Sequence, residues 1–323
     1  MLRLIACSVA ALVAAQAFAA GPPLLLEKKI MLGPVEGRID HMAYDAKRGR
    51  LIVAELGNDS VAVIDLDKGA LVKRFTGLKG PQGVAIAADI IHVAHEDAGT
   101  VLRFRADGFA PAGRIVLGDD ADNMRVDEKS GEVVVGYGEG ALAFINAGAG
   151  VKTNEVRLAA HPESFQLSAD GKRIYANVPN AREIAVIDRA GRRQVDSWRL
   201  PEAAANFAMA LDDAGGRLLV IYRRPAMLVA FDTATGKPRG QAGISGDADD
   251  VFWDARRRRA YISCGEGFLD VVQRADDGWS RIARITTNSG ARTALFVPER
   301  DRLYLAVRAR GAERAAIWVY KPE

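Results

Sequence analysis

The feature that most constrains this chain is a unit of four short strand-like runs that recurs along most of its length. In the clearest copy, the runs lie at residues 39–45, 51–55, 61–65 and 71–75 and are separated by turns such as Asp67-Lys68-Gly69. Short alternating or apolar runs bounded by Gly, Asn and Asp predict strands joined by hairpins. Helical repeats of this length would place apolar residues three and four apart, and the sequence lacks that spacing.

The position of Asp45 in the first copy recurs at a regular interval. Subtracting residue numbers gives steps of 42, 40, 41, 44, 42 and 43 along the series Asp45, Ala87, Asp127, Ser168, Asp212, Asp254 and Val297. A four-stranded repeat of roughly 40–45 residues is typical of a β-propeller blade. The sequence therefore predicts an all-β, seven-bladed propeller, with units that begin near residues 38, 80, 121, 161, 204, 248 and 291.

The last unit is one strand short, because it offers runs only at residues 294–297, 303–307 and 316–320. A strand-like run at residues 24–32 precedes the first unit and has no partners of its own. We predict that this run, within an N-terminal segment 20–37, completes the last blade of the propeller 38–323. Closing the ring in this way leaves only short, protected sheet edges.

Two units carry a recognisable motif, at residues 51–65 (LIVAELGNDSVAVID) and 174–188 (IYANVPNAREIAVID). A strand, an Asn-containing turn and a V-x-V-I-D strand in this order resemble the YVTN repeat. The segment SADGKR at residues 168–173 is similar to the S-P-D-G-K turn of that family, with Ala169 in place of proline. The resemblance implies a seven-bladed propeller over nearly the whole mature chain. It implies no single function, because such propellers serve as binding platforms and as enzymes.

The N-terminus has the pattern of a secretory signal peptide. Arg3 precedes an apolar stretch at residues 4–15, and Ala17-Phe18-Ala19 forms a cleavage site. We expect residues 1–19 to be removed and the mature protein to be periplasmic or secreted, without a membrane span. Cys7 leaves with the signal, so Cys264 has no partner for an intrachain disulfide, and we expect it to be a buried structural residue.

The charge balance argues against nucleic acid as a partner. The chain has 44 Lys and Arg against 41 Asp and Glu, a net charge of +3, which gives no general attraction to nucleic acid or acidic membranes. The arginine run at residues 256–259 falls in a predicted hairpin, where a solvated turn is the favoured interpretation. The absence of a C-x-x-C-H motif excludes covalently bound c-type haem. We expect a monomer that binds an unidentified protein or small-molecule ligand.

Candidate binding residues collect where the innermost strand of each blade begins, at the end of the channel that we call the mouth. Converging carboxylates and amides suit Ca²⁺, which takes about 6–8 oxygen ligands. Four residues are therefore candidate calcium ligands: Asp40, Asp122, Asn206 and Asp249. The rest of the ligand- or partner-binding mouth is predicted to include His41, Asn123, Glu163, Asp250 and Arg292. Alternatively, these residues only solvate an open channel and form turns, since no fixed ligand spacing such as an EF-hand loop is present.

Two functions are compatible with these observations. The first is a non-catalytic scaffold that binds its ligand or partner at an acidic mouth, because motifs such as G-x-S-x-G and the phosphate-binding loop are absent. The second is a calcium-dependent hydrolase of lactones or esters, in which the metal polarises a carbonyl. Residues 204–207 and 249–251 resemble elements of the gluconolactonase and paraoxonase propellers. Seven predicted blades, against six in those families, tell against the hydrolase.

Overall fold

The computed structural model describes residues 21–96, 99–276 and 278–323. Within these ranges the chain forms seven four-stranded antiparallel sheets, each of which is one blade of a propeller. The seven-bladed all-β prediction is confirmed. The predicted signal peptide and Cys7 lie outside the described residues.

Each of the first four blades runs from its innermost to its outermost strand in chain order. Blade 1 contains β2 (Met42–Asp45), β3 (Arg50–Glu55), β4 (Ser60–Asp65) and β5 (Ala70–Thr76). Blade 2 contains β6 (Pro81–Ala87), β7 (Ile90–His95), β8 (Thr100–Arg105) and β9 (Pro111–Val116). Blade 3 contains β10 (Ala121–Asp127), β11 (Glu132–Tyr137), β12 (Ala141–Asn146) and β13 (Val151–Arg157). Blade 4 contains β14 (Phe165–Leu167), β15 (Arg173–Val178), β16 (Glu183–Asp188) and β17 (Arg193–Trp198).

The next two blades repeat this order, and the last takes its outer strand from the N-terminus. Blade 5 contains β18 (Ala204–Asp212), β19 (Arg217–Arg224), β20 (Ala226–Asp232) and β21 (Pro238–Gly243). Blade 6 contains β22 (Ala248–Asp254), β23 (Arg259–Cys264), β24 (Phe268–Ala275) and β25 (Gly278–Thr286). Blade 7 contains β26 (Thr293–Val297), β27 (Arg302–Val307), β28 (Ala316–Pro322) and β1 (Leu24–Met31).

The hydrophobic core lies between neighbouring blades. In β3 and β4, alternate side chains point to opposite faces of the sheet. Leu51 and Val53 therefore pack against blade 7, while Ile52 and Ala54 pack against blade 2. Because both faces are covered, β3 and β4 are apolar between their polar end residues, whereas β5 on the outside is largely exposed.

The N-terminal strand closes the ring. β1 pairs antiparallel with β28, so that Lys29 lies opposite Trp318 and Ile30 opposite Ile317. The ammonium of Lys29 lies 4.0 Å from the centroid of the Trp318 ring. The prediction that an N-terminal strand completes the last blade is confirmed.

The aspartates of the repeat form turns. The Oδ1 atom of Asp65 accepts hydrogen bonds from the backbone N–H of Asp67 and Lys68, at 3.1 and 2.9 Å. Asp232 accepts equivalent bonds in blade 5. These carboxylates lie in hairpins and stabilise the turns, as Asp side chains commonly do.

No helix in the described part of the chain is long and apolar enough to cross a membrane.

Candidate binding site at the channel mouth

Irregular strand starts bring polar side chains to the mouth. The register between the first two strands shifts in four blades at this level, including the stretch between Ala121 and Met124 and the stretch between Ala248 and Asp250. Such bulges re-aim side chains that a regular strand would direct into the blade interfaces. Gly83 belongs to one of these stretches, and a Cβ there would collide with the carbonyl oxygen of Asp122. A side chain at position 83 would therefore displace Asp122.

The mouth opens into a cavity of about 190 Å³. Its lining is mostly charged and comprises Arg38, Gln82, Glu96, Asp120, Asp122, His161, Glu163, Phe207, Arg223, Asp249 and Arg292. Of the residues predicted for the site, Asp122, Glu163, Asp249 and Arg292 line this cavity.

Asp249 is surrounded by three arginines. Arg223 contacts its Oδ1 atom at 2.5 Å, and Arg292 and Arg38 lie 3.0 and 3.7 Å from its Oδ2 atom. The guanidinium of Arg223 also lies 3.8 Å from the ring centroid of Phe207. Because Asp249 is largely buried, its charge is compensated inside the protein and is not displayed to solvent.

Asp40 lies beneath Arg38 and is completely buried. Its Oδ2 atom is 3.0 Å from the Arg38 guanidinium, and its Oδ1 atom is 3.8 Å from Nε2 of His41. Burial raises the pKa of Asp40, although His41 and Arg38 oppose that shift. Burial alone would lower the pKa of His41, but Asp40 and Asp250 outweigh it and raise that pKa.

Asn123 joins His41 to Arg125. The Arg125 guanidinium donates to Oδ1 of Asn123 at 2.6 Å, which leaves the Nδ2 group of Asn123 facing Nε2 of His41 at 3.0 Å. An amide N–H can donate only to an unprotonated ring nitrogen. Protonation of His41 at Nε2 would therefore break this contact and reorient Asn123.

His161, Asp122 and Glu163 form the other side of the mouth. The Nδ1 group of His161 donates to the carbonyl of Gly138 at 2.7 Å, and its Nε2 atom lies 3.9 Å from Asp122. Burial disfavours the charged ring, but Asp122, the Gly138 carbonyl and Asp120 together raise the pKa of His161 to about 9. Burial, reinforced by the charge of Asp122, raises the pKa of Glu163 to about 7.

The predicted calcium ligands do not all line one cavity. Asp122 and Asp249 line the mouth, Asp40 lies under Arg38, and Asn206 is buried between blades 4 and 5. The Nδ2 group of Asn206 donates to Oδ1 of Asn177 and to the carbonyl of Glu183, at 3.0 and 2.8 Å. In the described ranges, no group of three or more His, Cys, Asp or Glu side chains is placed to hold a metal ion. Calcium binding stays a prediction.

Two residues predicted for the mouth lie deeper, in the wall of the channel. Asp250 and His41 line a second cavity below the mouth. Asp250 accepts a hydrogen bond from the backbone N–H of Ala294 at 2.9 Å, and burial raises its pKa to about 7. Asn123 lies at the same level and contacts His41.

Sequence reasoning did not identify Arg38, His161 or Arg223 as site residues. Two of these residues occupy the first position of a predicted unit, near 38 and 161. That position precedes the innermost strand. The polar residues found there in two units were the sequence signal that could have identified Arg38 and His161. With these residues included, the mouth is a mixed network of both charges.

No family model and no curated protein matches this chain. Among solved structures, it is similar to a chain of Kuenenia stuttgartiensis hydrazine synthase, at 15% identity and a TM-score of 0.74 over 84% of this chain and 95% of that chain. It is also similar to a chain of a mitotic checkpoint complex, at 12% identity and a TM-score of 0.76 over 98% of both chains. At these identities the likeness shows the propeller fold alone.

Proposed function

We propose that this chain is an exported propeller of the YVTN-repeat kind that acts as a non-catalytic scaffold and binds a cationic group of its ligand or partner at the mouth. The observation that carries the proposal is the environment of Glu163. No basic side chain of the described residues lies within 4.0 Å of its carboxylate. This carboxylate lines the mouth without an ion-pair partner among the described residues and is therefore available to an incoming cation.

The electrostatics favour a cation at this place. Burial and the charge of the neighbouring Asp122 raise the Glu163 pKa to about 7, although His161 and Arg223 oppose that shift. An ammonium or guanidinium group between Glu163 and Asp122 would relieve their repulsion and lower the Glu163 pKa again. Partial burial strengthens the attraction, because water screens it less than at an open surface.

The volume of the mouth indicates that it binds one charged group of a ligand or partner and not a whole small molecule. Its volume of about 190 Å³ is below the range of roughly 300–1,000 Å³ that is usual for small-molecule pockets. A lysine or arginine side chain of a partner, or the amine end of a small molecule, fits this description.

The experiment is calorimetric titration of the mature protein with a capped peptide that carries one lysine, and with the same peptide carrying glutamine. The lysine peptide should bind, and Glu163→Gln should weaken it at least tenfold. Glu36→Gln, which removes the same charge from an exposed position, is the matched control and should change affinity less than twofold. Binding should also tighten as the pH rises through about 7, where Glu163 loses its proton. Equal binding by Glu163→Gln and the parent would show that the site is elsewhere.

The calcium-dependent hydrolase is the competing proposal, and it requires Arg38, Arg223 and Arg292 to leave the carboxylates. A thermal melt with and without Ca²⁺ separates the two, because a ligand that binds only the folded state raises its stability. The hydrolase predicts a higher melting temperature for the parent that is lost on combining Asp122→Asn with Asp249→Asn. The scaffold predicts no shift in either protein.

Export is part of the proposal and rests on the N-terminal pattern alone. Expression of the full chain in a bacterial host should yield a periplasmic protein that begins at Ala20. An intact N-terminus on the folded protein would contradict cleavage after Ala19.

A further inference from the structure

The central channel beneath the mouth is a second cavity, of about 480 Å³. Its volume lies within the range that is usual for small-molecule sites. Partly exposed apolar side chains of the innermost strands form much of its wall, among them Ile86, Val126, Leu211, Phe252, Trp253 and Leu295. Such a wall suits the apolar part of a ligand.

A guanidinium lies in this wall, in the same lining as His41. Arg125 is on β10, and its guanidinium donates to Oδ1 of Asn123 at 2.6 Å and to the carbonyl of Met124 at 2.8 Å. Within the described ranges, no Asp or Glu oxygen lies within 4.0 Å of the guanidinium. Its burial lowers the pKa of Arg125, and the more distant Asp250 and Asp122 offset this only in part.

A desolvated cation without an ion-pair partner is costly, and an anion that enters the channel would offset that cost. The guanidinium has five N–H donors and uses two of them in these contacts, so donors remain for a ligand. Its planar fork matches the two oxygens of a carboxylate.

We propose that the channel binds an amphipathic organic anion, with its carboxylate on Arg125 and its apolar aliphatic or aromatic body along the channel wall. The carboxylate lies towards the mouth and the body towards Phe252 and Trp253. This site is separate from the proposed cation site at Glu163, and neither proposal rests on the other.

The other groups at this level favour a monoanion over a multiply charged anion. Asp250 also lines the channel, and its buried carboxyl has a pKa of about 7. A protonated Asp250 can donate to a ligand carboxylate. When Asp250 is ionised, it repels a dianion such as phosphate more strongly than a monoanion, and phosphate has no apolar part to pack against the wall. His41, Tyr44, Gln166 and the exposed Glu128 complete the polar part of the lining.

The experiment is calorimetric titration of the mature protein with 4-phenylbutyrate and with 4-phenylbutanamide, which has the same shape but no charge. The acid should bind at least tenfold more tightly than the amide. Arg125→Met should weaken the acid at least tenfold and leave the amide within twofold, and Arg125→Lys should fall between the parent and Arg125→Met. Arg157→Gln removes an arginine whose side chain is 83% exposed and should change neither affinity.

Three results would overturn the proposal: no binding of the acid at millimolar concentration, equal binding of acid and amide, or unchanged binding of the acid by Arg125→Met. If Arg125→Met does not fold, the affinities of the acid and the amide for the parent and for Arg125→Lys still test the proposal. Loss of lysine-peptide binding in Glu163→Gln would leave this outcome unaffected, because the two probes carry opposite charges.

Discussion

Closure of the ring by β1 can be tested with two substitutions one residue apart. Ile30 is 3% exposed and packs into the core between blades 7 and 1, whereas Met31 is 48% exposed. Both residues lie on β1, and their side chains point to opposite faces of the strand. Ile30→Ala and Met31→Ala therefore change the same strand and differ chiefly in burial.

The structure gives the size of the difference. Ile30→Ala removes three buried carbons, worth about 0.8 kcal/mol each, or about 2.4 kcal/mol together. The cavity left between the blades adds to this, so a total loss of about 3–4 kcal/mol in the free energy of unfolding is expected. Met31→Ala removes exposed atoms and should change that free energy by less than about 0.5 kcal/mol.

Urea unfolding followed by tryptophan fluorescence measures both values, since Trp318 lies on β28 directly beside β1. Linear extrapolation to zero denaturant gives the free energy for each variant. If the two variants lose equal stability, or if Ile30→Ala loses less than about 1 kcal/mol, β1 is not packed as the closing strand.

Two further predictions concern buried groups. Cys264 is completely buried, and desolvation raises its pKa. A thiol reagent should therefore label it slowly in the folded protein and rapidly after denaturation. Fast labelling of the folded protein would indicate a reactive, nucleophilic thiol. The folded-state pKa of His161 is raised to about 9 from an ordinary value of 6.5, so its contribution to stability is present below about pH 6.5 and is lost as the pH rises through 9. Urea unfolding between pH 6 and 10 should show a decline on the order of 3 kcal/mol that His161→Gln abolishes; an unchanged decline would assign it to other groups.

The sequence predicts the fold better than the site, for a physical reason. Blade strands follow from local alternation and turn residues, and Asp45, Asp127 and Asp254 mark the same position in three blades. Closure also follows by counting, because a seventh unit with three strands needs one from elsewhere.

The mouth depends on contacts between blades, which no local pattern encodes. Asp249 and Arg223 are 26 residues apart and belong to different blades, yet they form an ion pair. Counting acids near strand starts therefore predicts a more acidic mouth than the folded protein displays. Asn206 shows the same limit, since its position at a strand start does not reveal that its amide bonds to Asn177 in the neighbouring blade.

Glu163 and Arg125 have opposite charges and line different cavities, the mouth and the channel. Arg125 donates to Asn123, and Asn123 in turn donates to His41. An anion that draws Arg125 away from Asn123 would free that amide to turn, and a protonated His41 would then find an acceptor in its oxygen. A cation beside Asp122 acts in the opposite sense on His41, because it weakens the attraction that favours the charged ring. Occupation of the channel should therefore raise the pKa of His41, whereas occupation of the mouth should lower it.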